Sequence, residues 1–321
     1  MVKVTKEHTP GREEMRAVYA SALIDTARED ERVVSVNCDM SSSTGSAAFA
    51  KVFPGRSFNV GIQEANGCGV AAGLAVTGFI PFLHTFAVFA SRRICDQIFQ
   101  SCAYAGLNVK VLGADSGVSA TYNGGTHMAF EDVGVLRSIP DLTIVDATDH
   151  VMMRKLVPMV KDVQGPVYMR TIRKQAVTVY EEGSGFTIGK AALLREGKDV
   201  TVIASGIMVS MALEAADMLQ REGISVRVVD MFTIKPIDVE CILACARETG
   251  AIVTAENHNI IGGLGSAVAE VLSEQAPVIM SRVGARDQFG EVGDMDYLTG
   301  RFKLTPAEIC VHVREIYKKK R

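Results

Sequence analysis

Apolar runs alternate with amphipathic stretches along most of the chain. Residues 12–28 place Met15, Val18, Tyr19, Ala22, Leu23, Ile24 and Ala27 at helical spacing. Residues 32–37, RVVSVN, read as a buried strand, and CDMSSSTGS follows as a polar loop at its carboxyl end. Strands are expected again over 80–89 and 108–114, with a helix over 92–104 between them. Asp115 to Thr126, DSGVSATYNGGT, is a loop of small and polar residues, and His127 precedes a helix reaching Arg137. A strand over 143–146, a helix over 149–162 and a strand over 166–170 complete this part. Such alternation predicts an α/β fold with a doubly wound, mostly parallel sheet covered by helices on both faces.

Residues 171–187 break the rhythm and read as a linker. A second α/β unit follows, with strands over 200–204, 226–230, 251–255 and 278–282. Its helices are expected over 210–222, 238–249, 265–274 and 306–319. The reading is two domains of unequal size, 1–185 and 186–321.

The stretch SFNVGIQEANGCGVAAGLAVTG organises the first domain. It opens as a short strand ending in a turn and continues as a helix rich in small residues, among them Gly67, Gly69, Ala71, Ala72, Gly73 and Ala75. Gly costs about 1 kcal/mol relative to Ala inside a helix. Several glycines therefore imply that the helix lies close to another backbone. Glu64 stands where strand passes into helix. It reads either as a first-turn charge facing the helix dipole or as a buried group with a chemical task.

Composition narrows the class. The chain has 321 residues, 48% of them hydrophobic, and a formal net charge of −3. That suits a large core and excludes nucleic acid as the main partner. The opening residues lack the apolar run of a signal peptide, and no apolar stretch reaches the length of a membrane span. Seven cysteines with no CxxC pair fit a soluble, reduced, cytoplasmic protein.

Four polar or aromatic features follow successive strands: Asp39 in DMSSS, Glu64, the pair Phe86 and Phe89 in HTFAVFASRR, and His127 in NGGTH. Each alone reads as a loop, cap or core residue. Together they fall where open α/β sheets place ligands, so a single pocket is expected. The GGLG loop after His258 reads as a turn forced by glycine rather than as an anion cradle.

The runs DMSSS, VGIQEANGCGVAAGLA, PFLHTFAVFASRR, NGGTHMAFEDVGVLRSIPDLTIV, GPVYMR and TAENHNIIGGLGSAVAE extend in order over nearly the whole chain. They resemble the transketolases: the first domain is similar to their pyrimidine-binding domain and the second to their C-terminal domain. The same order of elements recurs in 1-deoxyxylulose-5-phosphate synthase and in the beta subunit of 2-oxoacid dehydrogenases. Those provide the rival expectations, acyl transfer or keto-acid decarboxylation. A complete enzyme of this group also carries a GDG motif and an asparagine pair that hold Mg²⁺ and the diphosphate. Neither is present here. The resemblance therefore implies the C-terminal subunit of a split transketolase, with no metal ligands of its own. A separate N-terminal subunit would supply the diphosphate and metal site, in a heterotetramer that pairs through the pyrimidine domains.

By the same resemblance, Glu64 is the cofactor-activating glutamate that bonds the aminopyrimidine of thiamine diphosphate. Phe86 and Phe89 line the pyrimidine pocket, with Phe89 stacked on the ring. Asp39 and Arg92 lie near the cofactor. Arg16, Ser43 and Arg173 match positions that bind the sugar-phosphate end, with Arg170 competing for the last assignment. His127 matches a histidine near the reacting hydroxyl groups. Asp115 and Asn123 depart from the pattern, which has His and Asp there. An ionised Asp115 would repel phosphate, and Asn123 can donate as well as accept. The usual pentose-phosphate substrates are therefore in doubt.

Overall fold

The computed structural model describes residues 2–320. Its first six strands are β1 (Val33–Asn37), β2 (Ser57–Asn59), β3 (Ile80–Phe86), β4 (Lys110–Ala114), β5 (Thr143–Asp146) and β6 (Val167–Thr171). Then come β7 (Ala192–Arg195), β8 (Val200–Ala204), β9 (Val226–Asp230), β10 (Thr233–Lys235), β11 (Ala251–Asn259) and β12 (Ile279–Ala285). A 7-stranded sheet has the order β10-β5-β6-β4-β3-β1-β2, and a 5-stranded sheet the order β12-β11-β8-β9-β7. Both are parallel except where β10 joins β5 and β7 joins β9. Every residue of β1, β3, β4, β5 and β6 is buried, which is why these strands read as mainly apolar runs.

Two cores sandwich the first sheet. Met15, Tyr19 and Leu23 of the Met15–Glu29 helix pack with Val33, Phe82 and Leu156 on one face. Cys68, Ala71, Leu83, Ile98 and Cys102 pack on the other. The chain leaves β1 outward to β2, then returns to β3 on the opposite side. The crevice between β1 and β3 is thus a topological switch point, the place where such sheets bind ligands.

Several elements differ from their expected form. The strand expected over 80–89 stops at Phe86, and the helix expected over 92–104 is wound in wide π turns at Phe89–Arg93 and Ile98–Tyr104. Ser91 Oγ donates to the Ala87 carbonyl at 2.7 Å, a side-chain bond that competes with regular helical winding. The helix after His127 is confined to Asp132–Leu136. The Met295–Arg301 helix, β7 and β10 have no counterpart in the hydrophobic pattern.

The expected linker is ordered by the amino-terminal segment. Thr5 N donates to Val179 O at 2.9 Å, Gly11 N to Ala176 O at 2.8 Å, and Arg16 N to Arg173 O at 3.2 Å. Asp149 caps the His150–Asp162 helix through Met152 N, and its other oxygen takes the amides of Val179 and Tyr180 at 2.8 Å each. These bonds bring Arg16 and Arg173, far apart in sequence, side by side.

The glycines of the Glu64–Val76 helix divide in two. A Cβ on Gly67 would meet Cys38 Sγ at 3.0 Å, Leu83 Cδ1 at 3.2 Å and Val60 Cγ2 at 3.2 Å, so close approach within the chain explains this one. Gly69 and Gly73 face open space, and Ile62 before the helix and Val76 at its end are exposed. No described helix is long and apolar enough to cross a membrane.

Candidate active site

Glu64 begins the helix that follows β2 and its turn, and is 1% exposed. One oxygen accepts from Thr85 Oγ1 on β3 at 3.2 Å. The other accepts from Arg93 Nη1 at 2.6 Å. The same Arg93 guanidinium lies 3.9 Å from the centroid of the Phe89 ring. Burial and the nearby Glu64 carboxylate push the Cys38 thiol up to about 12, so this cysteine is a neutral wall of the crevice.

The aromatic pair forms the floor. Phe86 and Phe89 have centroids 6.2 Å apart. His127 stands edge-on to both, at 5.9 Å and 5.3 Å, and its Nδ1 lies 2.9 Å from Thr126 Oγ1. The NGGTH loop is held from behind by the second unit. A Cβ on Gly125 would come within 2.2 Å of Gly290 O, so only glycine permits this approach. Asn257 closes the preceding turn, accepting from Val118 N at 3.0 Å and donating to Ser116 O at 3.0 Å.

A charged cluster lies beyond the aromatic floor. Asp115 follows β4 with φ 57°, a left-handed conformation that Asp tolerates. It is buried and paired with Arg173, whose Nε is 3.2 Å from Oδ1 and whose Nη2 contacts Oδ2. Burial raises the Asp115 pKa, and the Arg173, Arg16 and Lys174 charges oppose that rise. Arg173 also reaches over Phe86, 5.4 Å from its centroid. Arg16 bonds Glu14 at 2.6 Å and the Ser42 carbonyl at 3.1 Å. Glu14 also binds Lys174 at 2.8 Å. Ser43 is half-buried on the Ser41–Thr44 turn beside this contact.

The remaining expected residues lie elsewhere in the neighbourhood. Arg92 turns away from the Phe89 face: its Nε is 2.8 Å from Glu131 Oε1 and its Nη2 donates to Thr126 O at 3.0 Å. Asp39, exposed and at φ 61°, accepts from Asn59 Nδ2 at 3.0 Å. Asn123 is exposed on its loop. Arg170 is buried in a structural network, donating to Asp132 at 2.6 Å, Asp146 at 3.0 Å and Asn257 O at 2.7 Å. At the GGLG turn, the amides of Leu264 and Gly265 at the helix start already bind the chain's own Glu256 carboxylate, at 2.7 Å and 2.8 Å. Sequence reasoning missed Arg93. Its signal was the doubled Arg92-Arg93, of which the sequence expectation took only the first.

Among the described residues no group of three or more His, Cys, Asp or Glu side chains is placed to hold a metal ion. An aminopyrimidine fits the Glu64–Phe89 pair. A planar, N–H-bearing group, the Arg93 guanidinium, already stacks there and donates to the carboxylate.

Two family models account for this architecture. The transketolase pyrimidine-binding domain matches residues 13–177, and the transketolase C-terminal domain matches residues 189–309. The chain belongs to the transketolase family. It is 49% identical to the 6-deoxy-6-sulfo-D-fructose transketolase subunit of Clostridium sp. (strain MSTE9), covering 95% of both chains. It is 38% identical to an apulose-4-phosphate transketolase subunit of Phocaeicola vulgatus (strain ATCC 8482), covering 95% of this chain and 97% of that one. A solved structure described as a split gene transketolase, inactive beta4 tetramer, superposes with a TM-score of 0.89 at 43% identity, covering 97% of this chain and 100% of that one. The protein is thus the C-terminal subunit of a split, thiamine-diphosphate-dependent transketolase, a transferase that moves a two-carbon ketol group from a ketose to an aldose.

Proposed function

We propose that Glu64 and Phe89 receive the aminopyrimidine of thiamine diphosphate, and that the Arg16–Arg173 cluster receives the anionic end of the sugar. The observation that carries the reading is a fully buried carboxylate beside an aromatic face at the switch point of the sheet. When bound, thiamine diphosphate supplies the carbon nucleophile and the electron sink that cleavage next to a carbonyl requires. Glu64 holds a proton shared with the pyrimidine ring nitrogen, and Thr85 fixes the carboxylate for that bond. Phe89 stacks on the ring, and Phe86 closes the floor. His127, oriented by Thr126, exchanges a proton with the substrate hydroxyl groups.

The diphosphate and its Mg²⁺ belong to a separate N-terminal subunit, because this chain lacks the GDG and Asn-Asn motifs. The two subunits assemble as a heterotetramer. The exposed face of the Glu64–Val76 helix, with Gly69, Gly73 and Val76, supports pairing through the pyrimidine domains, since small residues let two helices approach closely. Seven free cysteines support a reducing, cytoplasmic setting.

The substrate carries a terminal anion of low charge. Arg16, Arg173 and Lys174 are offset by Glu14 and Asp115, which leaves one positive charge in excess. A phosphate monoester carries about −1.5 to −2 at neutral pH, whereas a sulfonate carries a single charge. The cluster therefore favours a sulfonated ketose over a ketose phosphate, in keeping with the 6-deoxy-6-sulfo-D-fructose transketolase subunit among its relatives.

The test is reconstitution. The chain alone should show negligible ketol transfer. Adding the N-terminal subunit, thiamine diphosphate and Mg²⁺ should restore it, with the sulfonated ketose preferred. Full turnover by the purified single chain would refute the two-subunit reading. A preference for xylulose 5-phosphate would refute the substrate assignment.

A further inference from the structure

We propose that Arg93 is a placeholder for the cofactor: it occupies the aminopyrimidine subsite and must leave before the ring can bind. This rests on the assignment of Glu64 and Phe89 to the cofactor. Two independent contacts show the overlap. The guanidinium stacks at 3.9 Å on the Phe89 ring, the face assigned to the pyrimidine. It also donates at 2.6 Å to the Glu64 oxygen that the ring nitrogen would need. Ring and guanidinium are both flat groups bearing N–H donors, and one face and one oxygen cannot serve both.

The arrangement has a physical reason. Glu64 is 1% exposed, and Thr85 Oγ1 at 3.2 Å is its other hydrogen-bonding partner. A buried carboxylate without a counter-charge is costly. Arg93 supplies that charge together with a flat surface for Phe89, and so keeps the pocket shaped. Its side chain is 45% exposed, so the guanidinium can swing into solvent without displacing packed groups. Phe89 and Arg93 lie four residues apart in a π turn, a winding that places them on one face. The neighbouring Arg92 is tied to Glu131 and Thr126 and does not compete.

Exchange of Arg93 for the cofactor lowers the apparent affinity by the cost of breaking the Arg93 contacts. A charge-assisted hydrogen bond is worth enough for roughly a tenfold effect or more. Arg93→Met keeps the length and removes the charge and the donors. In the complex assembled with the N-terminal subunit and Mg²⁺, equilibrium dialysis should show thiamine diphosphate binding to Arg93→Met about tenfold more tightly than to wild type. The chain by itself should melt at a lower temperature with Arg93→Met. The double variant Glu64→Gln with Arg93→Met should recover most of that loss, because no buried charge is then stranded. Arg93→Lys, which keeps charge but not the flat fork, should fall between wild type and Arg93→Met in cofactor affinity.

Weaker cofactor binding by Arg93→Met would overturn the proposal and make Arg93 a cofactor ligand. Equal affinity, or a melting loss that the double variant leaves unrepaired, would overturn it by removing the exchange. Binding to neither protein would refute the cofactor assignment itself, an outcome distinct from equal binding to both.

Discussion

Glu64 shows how one side chain can be held ready for chemistry and yet remain stable. Its position at the first turn of a helix would by itself offer only about 0.3–1 kcal/mol. Burial against Thr85 and Arg93 is a larger commitment, and the use proposed for it is a proton shared with the cofactor. Glu64→Gln keeps the shape and removes that proton. In the assembled complex, hydrogen–deuterium exchange at the thiazolium carbon should slow by orders of magnitude, each factor of ten being about 1.36 kcal/mol, while the fold persists. Equal exchange in both proteins would make Glu64 a structural charge. On the proposed reading Asp115, paired with Arg173, sets a different quantity, the charge available to the substrate. Asp115→Asn frees Arg173 and adds one positive charge to the cluster. The ratio of kcat/KM for phosphate over sulfonate ketoses should rise about tenfold, the scale of one charge-assisted bond. An unchanged ratio would place the discriminating charge elsewhere.

Elements matter here through where they end. β1, β2, β3 and β4 finish just before Asp39, Glu64, Phe89 and Asp115, so one edge of the sheet gathers the site. These strands are buried on both faces and were legible as apolar runs, and the family motifs supplied most of the candidate site residues. What was not legible depends on contacts between distant segments. β10 has only three residues, Thr233–Lys235, and is a strand because β5 is beside it. The 171–187 linker looked loose because its partners are the first residues of the chain. Arg93 was hidden by Arg92, since the direction of each guanidinium is decided by the π turn and not by spacing. The NGGTH loop makes the same point from the opposite side. Gly125→Ala would push its Cβ toward Gly290 O, now 2.2 Å from that position, and displace His127 two residues on. A displacement near 1 Å can cost about a hundredfold in turnover. The variant should therefore lose kcat by that order with a modest fall in melting temperature. Wild-type kcat in Gly125→Ala would show that the loop is not held by this contact.

At the scale of the whole molecule, the two units are joined by buried polar groups and act as one support for the site. Asp230, at the end of β9, accepts from Thr148 Oγ1 and Tyr180 OH, each at 2.6 Å. Thr148 belongs to the first unit and Tyr180 to the linker, so this carboxyl group clamps three segments. Burial pushes its pKa from 3.8 up to about 7, against the pull of those two donors. The direction fixes the pH dependence. A carboxyl whose folded pKa is raised binds its proton more tightly in the folded state. Its stabilising contribution is complete below pH about 4 and is lost as pH rises through about 7. His258, near Asp132 and Glu256, works in the opposite sense. Burial lowers its pKa to about 4, so its contribution is present above about 6.5 and fades as pH falls through 4. Both groups act between about 4 and 7, so Asp230 is read from the difference between a variant and wild type, in which the His258 contribution cancels. Asp230→Asn keeps an oxygen acceptor for Thr148 and Tyr180 and cannot ionise. In chain-alone melts from pH 4.5 to 8, the difference in melting temperature between variant and wild type should move in the variant's favour as pH rises, then level off above about pH 7. Parallel curves would mean that Asp230 does not titrate in this range, and that the join between the units owes its pH response to other groups.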